Sequence, residues 1–267
     1  MAEEASKMAF FGWEVQNKIH NSTDSFWGEV DTTHAFCEPH YAQSRYVAEF
    51  FNSISSLVYC LVAFYLLNKF PNDRMIQAAN LWLGVLGLGS ALFHGTMKYS
   101  MQLMDEGPMV GWMTTLILAQ LSCGRPWLNG KVGILQTIVV CAALGLFTVY
   151  AITDEYEIFV HGFSMLSLFS VFLGMLIVPG KDSKVAKLQR RAMIVCVVAI
   201  LIGKFCWELE NRMCDKYPAI WPLHPVWHFL SCLSVYAAMI NGYLCRMDEN
   251  GIMPNWIGFR QEKVKTV

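Results

Sequence analysis

His224 and His228 stand four residues apart where the last apolar segment opens, in Trp221-Pro-Leu-His-Pro-Val-Trp-His228. On an α-helix that spacing puts both imidazoles on one face, one turn apart. Pro225 suits the first turn, where its missing N–H has no intrahelical partner to lose. Two neutral imidazoles so placed make half of a zinc site. Ser90 and His94 repeat the spacing near the end of an earlier apolar segment, so a hydroxyl and an imidazole share a face there. A short connection, Gly95–Met101, then leads to Asp105 and Glu106. Three histidines leave one tetrahedral zinc position open, the arrangement of a catalytic site. Water in that position ionises near pH 7, roughly. A carboxylate such as Asp105 can take its proton, and the Ser90 hydroxyl can donate to an oxyanion. Together these groups suffice to hydrolyse an amide or an ester.

The elements that must position them are transmembrane helices. The chain has 267 residues, 55% of them hydrophobic and only 15% charged, against about 25% charged in soluble domains. Seven apolar runs approach the roughly 20 residues that a bilayer requires. They are residues 47–68, 76–96, 102–122, 131–152, 156–178, 190–209 and 223–245. The fold class expected is an all-α membrane protein, a seven-transmembrane helix bundle with an intramembrane zinc site. Its parts are an N-terminal segment, 1–46, a catalytic bundle, 47–245, and a tail, 246–267. The N-terminal segment has no charged n-region followed by an apolar run, so no cleavable signal peptide is expected.

Placing the N-terminus outside puts 13 of the 20 Lys and Arg residues on the cytosolic side, with the densest group at Lys181–Arg191. The positive-inside rule therefore favours a lumenal N-terminus and a cytosolic C-terminus. Under that topology His94, Asp105, His224 and His228 all fall at the outer level. His161 also lies near it, but its neighbours Gly162 and Ser164 suggest ordinary packing. Lys204, Glu208 and Glu210 are costly in lipid and are expected to pair with one another. Polar residues in the first span, Asn52, Ser53, Ser55 and Ser56, read as interhelical hydrogen-bonding groups. Glu49 needs a partner or a cation. Asn21 in Asn21-Ser-Thr23 is the candidate glycosylation site. Cys37 and Cys214 are the two cysteines in outward segments, either paired or both free thiols. Net charge near zero gives no sign of a nucleic-acid partner.

The constellation Ser90-x3-His94, Asp105, His224-x3-His228 on seven helices resembles the alkaline ceramidase family. The stretches Ala48–Ser55, Phe93–Glu106 and Trp207–Asn211 carry the resemblance further, and it spans roughly residues 35–245. It implies hydrolysis of the ceramide amide to a sphingoid base and a fatty acid in the endoplasmic reticulum or Golgi membrane. It implies Zn²⁺ on His94, His224 and His228, catalytic roles for Ser90 and Asp105, and a Cys37–Cys214 disulfide. The family also binds Ca²⁺ near the N-terminus, and the matching positions here include Phe36, Glu38, His40 and Glu49. Ala35 and His40 replace two oxygen ligands of that pattern, and imidazole suits Ca²⁺ poorly, so weak or absent Ca²⁺ dependence is expected. The wider superfamily includes adiponectin-receptor-like proteins. A receptor of that type, with a cytosolic N-terminus, is the alternative, and a bundle with a purely structural zinc is a third.

Overall fold

Each apolar run becomes one helix, since a backbone in lipid must satisfy its own N–H and C=O groups. The computed structural model describes residues 25–70, 73–123, 130–178 and 183–249. Its helices are α1 (Phe50–Lys69), α2 (Arg74–Thr96), α3 (Tyr99–Leu121), α4 (Val132–Thr153), α5 (Tyr156–Leu176), α6 (Lys184–Met213) and α7 (Leu223–Glu249). A short 3₁₀ turn, Pro218–Ile220, precedes α7. No strand occurs among the described residues. Asn21 lies outside them.

Six of the helices, all but α3, are long and apolar enough to cross a membrane, and the protein is a multi-pass membrane protein. The third carries Gln102, Asp105, Glu106 and Gln120 in its 23 residues, which lowers its hydropathy. Its surroundings compensate, because α3 packs against α2, α4, α5 and α7. The sixth is longer than its apolar run, 30 residues rather than the expected 190–209. Ser183 caps it by accepting the Ala186 N–H at 3.0 Å, so helix begins at Lys184, ahead of the apolar stretch. Apolar side chains such as Leu61, Phe64, Ile152 and Leu168 stand exposed on the outside of the bundle, as a lipid-facing surface requires.

The second helix is held between α1 and α3 by two glycines. A Cβ on Gly87 would lie 2.6 Å from the Cys60 sulfur of α1, and one on Gly89 would lie 1.9 Å from the Met104 carbonyl oxygen of α3. Small residues let helix backbones approach this closely in membranes. Pro108 explains the second contact. It has no N–H to return to the Met104 carbonyl one turn earlier, so that oxygen lacks its helical partner and the bare Gly89 backbone can close on it. The link from α2 to α3 is only Met97 and Lys98, with Met97 left-handed at φ 52°. Ser90, next to Gly89, and Asp105, next to Met104, are brought together by this seam.

Replacing Gly89 by alanine should force α2 and α3 apart and destabilise the protein by about 1–3 kcal/mol. Thermal unfolding in detergent checks this. Gly145→Ala in α4, where an added methyl meets nothing within 4 Å, should leave the midpoint unchanged.

Candidate metal centre

Two helix ends supply three histidines at one end of the bundle. The C-terminal turn of α2 supplies His94, and the first two turns of α7 supply His224 and His228. All three are buried, 1–3% exposed. Each offers one ring nitrogen, and these atoms lie within 4.8 Å of one another. Among the described residues this group can hold a metal ion.

For two of the rings, hydrogen bonds decide which nitrogen is offered. His94 Nδ1 is 2.7 Å from Glu49 Oε2. A carboxylate only accepts, so Nδ1 carries the proton and Nε2 presents its lone pair. His228 Nδ1 is 2.7 Å from Ser55 Oγ. The Ser55 hydroxyl in turn lies 3.1 Å from the Asn52 carbonyl, to which it can donate, so it accepts from His228 and again leaves Nε2 free. His224 Nδ1 faces Glu210 Oε2 at 3.2 Å, off the line of a full hydrogen bond. Acceptors behind metal-ligating histidines fix the tautomer and aim the ring. The donor set therefore fits a borderline metal such as zinc, for which neutral imidazole is a preferred ligand.

The carboxylates beside the cluster divide their work. Ser90 stands beside Asp105 across the α2–α3 seam, and the Ser56 hydroxyl is 2.9 Å from Ser90 Oγ. Glu106, one residue on and so about 100° around the helix, points away. It accepts from the Tyr150 hydroxyl of α4 and from Gln102 Nε2 at 3.2 Å. Gln102 also bonds Thr33, through the Thr33 N–H at 2.9 Å and Oγ1 at 2.6 Å. Glu106 thus belongs to a structural network that ties the N-terminal segment to α3 and α4.

That segment lies across the cluster. His34 stacks on Tyr156 with ring centroids 3.8 Å apart, and burial pushes its pKa down to about 3, so the ring is neutral. Phe36 lies over His224 at 3.7 Å between centroids. Glu38 accepts the Phe51 and Asn52 N–H groups at 2.7 and 2.8 Å, satisfying donors that the start of α1 leaves open. Burial pushes its carboxyl above the usual range. Glu49 takes the Phe36 N–H at 3.2 Å, His40 Nε2 at 3.2 Å and Asn52 Nδ2 at 3.0 Å, besides His94. Each oxygen of the two acids faces a protein donor. Cys37 and Cys214 are joined as a disulfide with Cα atoms 5.5 Å apart.

Other charged groups lie apart from the cluster. His161 pairs with Glu157 at 3.2 Å on an exposed face of α5. Lys204 pairs with Glu208 at 3.2 Å, as their spacing predicts, and Arg212 joins them at 3.1 Å. Glu210 does not share that pairing. Two residues beyond Glu208, it turns to the opposite face and meets His224. Its depth, level with the start of α7, is the signal that sequence analysis passed over. Ser55 and Ser56 are likewise more than bundle glue, since both reach toward His228.

Fold and cluster define a helical membrane protein with a buried three-histidine cluster that could hold a metal ion. The family follows from comparison with known proteins. A sequence model of the Ceramidase family matches residues 28–260, and the chain belongs to that family. It is 29% identical over 241 residues to an alkaline ceramidase of Arabidopsis thaliana, covering 86% of this chain and 90% of that one. It is 28% identical over 225 residues to alkaline ceramidase 3 of Mus musculus, covering 79% and 82%. A Saccharomyces cerevisiae alkaline ceramidase is 26% identical over 264 residues, covering 88% and 82%. These matches do not favour the receptor alternative.

Purified protein is expected to carry roughly one equivalent of zinc, held by the three imidazoles. His224→Ala should lose it while remaining folded. Elemental analysis beside circular dichroism checks both.

Proposed function

We propose that the protein is an alkaline ceramidase, hydrolysing the amide of ceramide to a sphingoid base and a free fatty acid. The observation that carries this is the buried His94, His224, His228 cluster with the Ser90–Asp105 pair beside it, in a chain of the ceramidase family. The names of its relatives support the substrate.

His94, His224 and His228 would hold Zn²⁺ through their Nε2 atoms. When bound, zinc supplies a Lewis acid that polarises the amide carbonyl and lets a water ionise near neutral pH. The chain's own groups do the rest. Asp105 accepts a proton from the attacking water as its oxygen adds to the carbonyl carbon. Once protonated, Asp105 no longer needs the Ser90 O–H. That hydroxyl can turn to the developing oxyanion and donate to it. Asp105 then returns the proton to the amide nitrogen as the C–N bond breaks. The nitrogen leaves as the amine of the sphingoid base, and the acyl carbon keeps the water oxygen as a carboxylic acid.

The cluster sits at the end of the bundle, the depth of the interface at which a ceramide amide resides, and an apolar substrate would enter from the bilayer. We place that end in the lumen of the endoplasmic reticulum or Golgi, with α3 as a seventh span, segment 1–46 lumenal and tail 246–267 cytosolic. A lumenal site suits a Cys37–Cys214 disulfide and leaves Asn21 open to glycosylation. Protein donors already engage Glu38 and Glu49, and on this ground we assign no essential Ca²⁺.

Fatty-acid release from long-chain ceramide in mixed micelles tests the proposal. The wild type should turn over, and Asp105→Asn should fall by about 100-fold or more with zinc retained. Glu106→Gln should keep most of the rate. Absence of turnover with zinc bound would overturn the assignment. In the same assay a zinc chelator should abolish activity and EGTA should leave it unchanged. A loss with EGTA that added Ca²⁺ restores would show the calcium assignment to be wrong.

A further inference from the structure

We infer that Glu210 is the positioning carboxylate for His224, and that the peptide of Cys37 holds it to that task. The inference rests on the metal-binding part of the function proposed above. Glu210 is 1% exposed. Its Oε1 accepts the Cys37 N–H at 2.9 Å, and its Oε2 faces His224 Nδ1 at 3.2 Å. Its backbone carbonyl accepts the Cys214 N–H at 3.0 Å. Cys37 and Cys214 are disulfide-bonded to each other, so Glu210 is tied at its side chain to one half of the disulfide and at its backbone to the other.

The neighbouring peptide does the same for a second ligand. The Phe36 N–H donates to Glu49 Oε1 at 3.2 Å, and Glu49 Oε2 takes His94 Nδ1 at 2.7 Å. Consecutive N–H groups of one strap thus orient the two carboxylates behind two of the three histidines. The strap is pinned at its centre by the disulfide and packed on His224 by Phe36.

Chemistry gives Glu210 a directional role. A carboxylate facing Nδ1 keeps the proton there and leaves Nε2 able to ligate. In Glu210→Gln the amide oxygen still accepts from Cys37 N–H, and the NH₂ is left facing Nδ1. That arrangement favours the other tautomer, with the proton on Nε2, where it competes with the metal. Shape is conserved and the polarity is reversed.

The test is Co²⁺ titration of metal-stripped full-length protein, read by visible absorption and by competition with a chromophoric chelator. Thermal midpoints of the stripped and loaded forms are measured alongside. Glu210→Gln should bind Co²⁺ about 10–100-fold more weakly, with an altered ligand-field band and an unchanged metal-free midpoint. Glu208→Gln, whose parent pairs with Lys204 and Arg212, should match the wild type. Wild-type affinity and spectrum in Glu210→Gln would overturn the inference, as would an equal fall of both midpoints, the mark of a purely structural role. If Glu210→Gln does not fold, Cys37→Ser with Cys214→Ser probes the same link without altering the carboxylate. Weaker Co²⁺ binding is expected there, and unchanged binding overturns the inference. Failure of the wild type to bind Co²⁺ would instead remove the metal reading on which it rests.

Discussion

Three neutral imidazoles buried in one place must each have an acceptor behind them. A ring nitrogen carrying a proton and facing no acceptor would be expensive in an apolar interior, and a ring free to choose its tautomer would make a poor ligand. Glu49 and Ser55 meet that requirement for His94 and His228, and Glu210 Oε2 stands 3.2 Å from His224 Nδ1, off the line of a full hydrogen bond. Two come from α1 or its cap and one from α6, while the ligands come from α2 and α7. The cluster therefore needs the ends of four helices in register. Much of the architecture at this end of the bundle follows from that need.

The register is supplied by backbone as much as by side chains. The Glu49 N–H donates to the His94 carbonyl at 2.9 Å, so the residue that orients the ring also ties the entry of α1 to the exit of α2. Gly87 and Gly89 let α2 settle against both neighbours. Pro108, often read only as a kink, exposes the carbonyl on which Gly89 rests. That seam sets Ser90 beside Asp105 and turns Glu106 toward Tyr150. Two adjacent acids thereby acquire different tasks, one beside the cluster and one in a scaffold.

The sequence made the ligands legible because helix periodicity and alternating topology are enough to bring His94, His224 and His228 to one level. Ser90 and Asp105 followed from the short α2–α3 connection. Their supporting acceptors were harder to see. Ser55 and Ser56 resemble the hydroxyls that many membrane helices use to hold a neighbour. Glu210 was masked by Lys204 and Glu208, whose i,i+4 spacing offered a simpler partner, and only the angle around α6 separates them. The third apolar run read as a span, yet the described helix is too polar to qualify by composition alone, because it carries the groups that face the site. The N-terminal segment shows no periodicity, so its path across the cluster could not be read from pattern. The two acids offered there as calcium ligands also engage the start of α1, His94 and His40.

The most direct measurement of the central claim is zinc K-edge X-ray absorption on the purified protein. The account predicts three imidazole nitrogens at about 2.0–2.1 Å and one oxygen, with no sulfur scatterer. Sulfur at about 2.3 Å, or zinc without the multiple-scattering signature of imidazole, would place the metal elsewhere and contradict it.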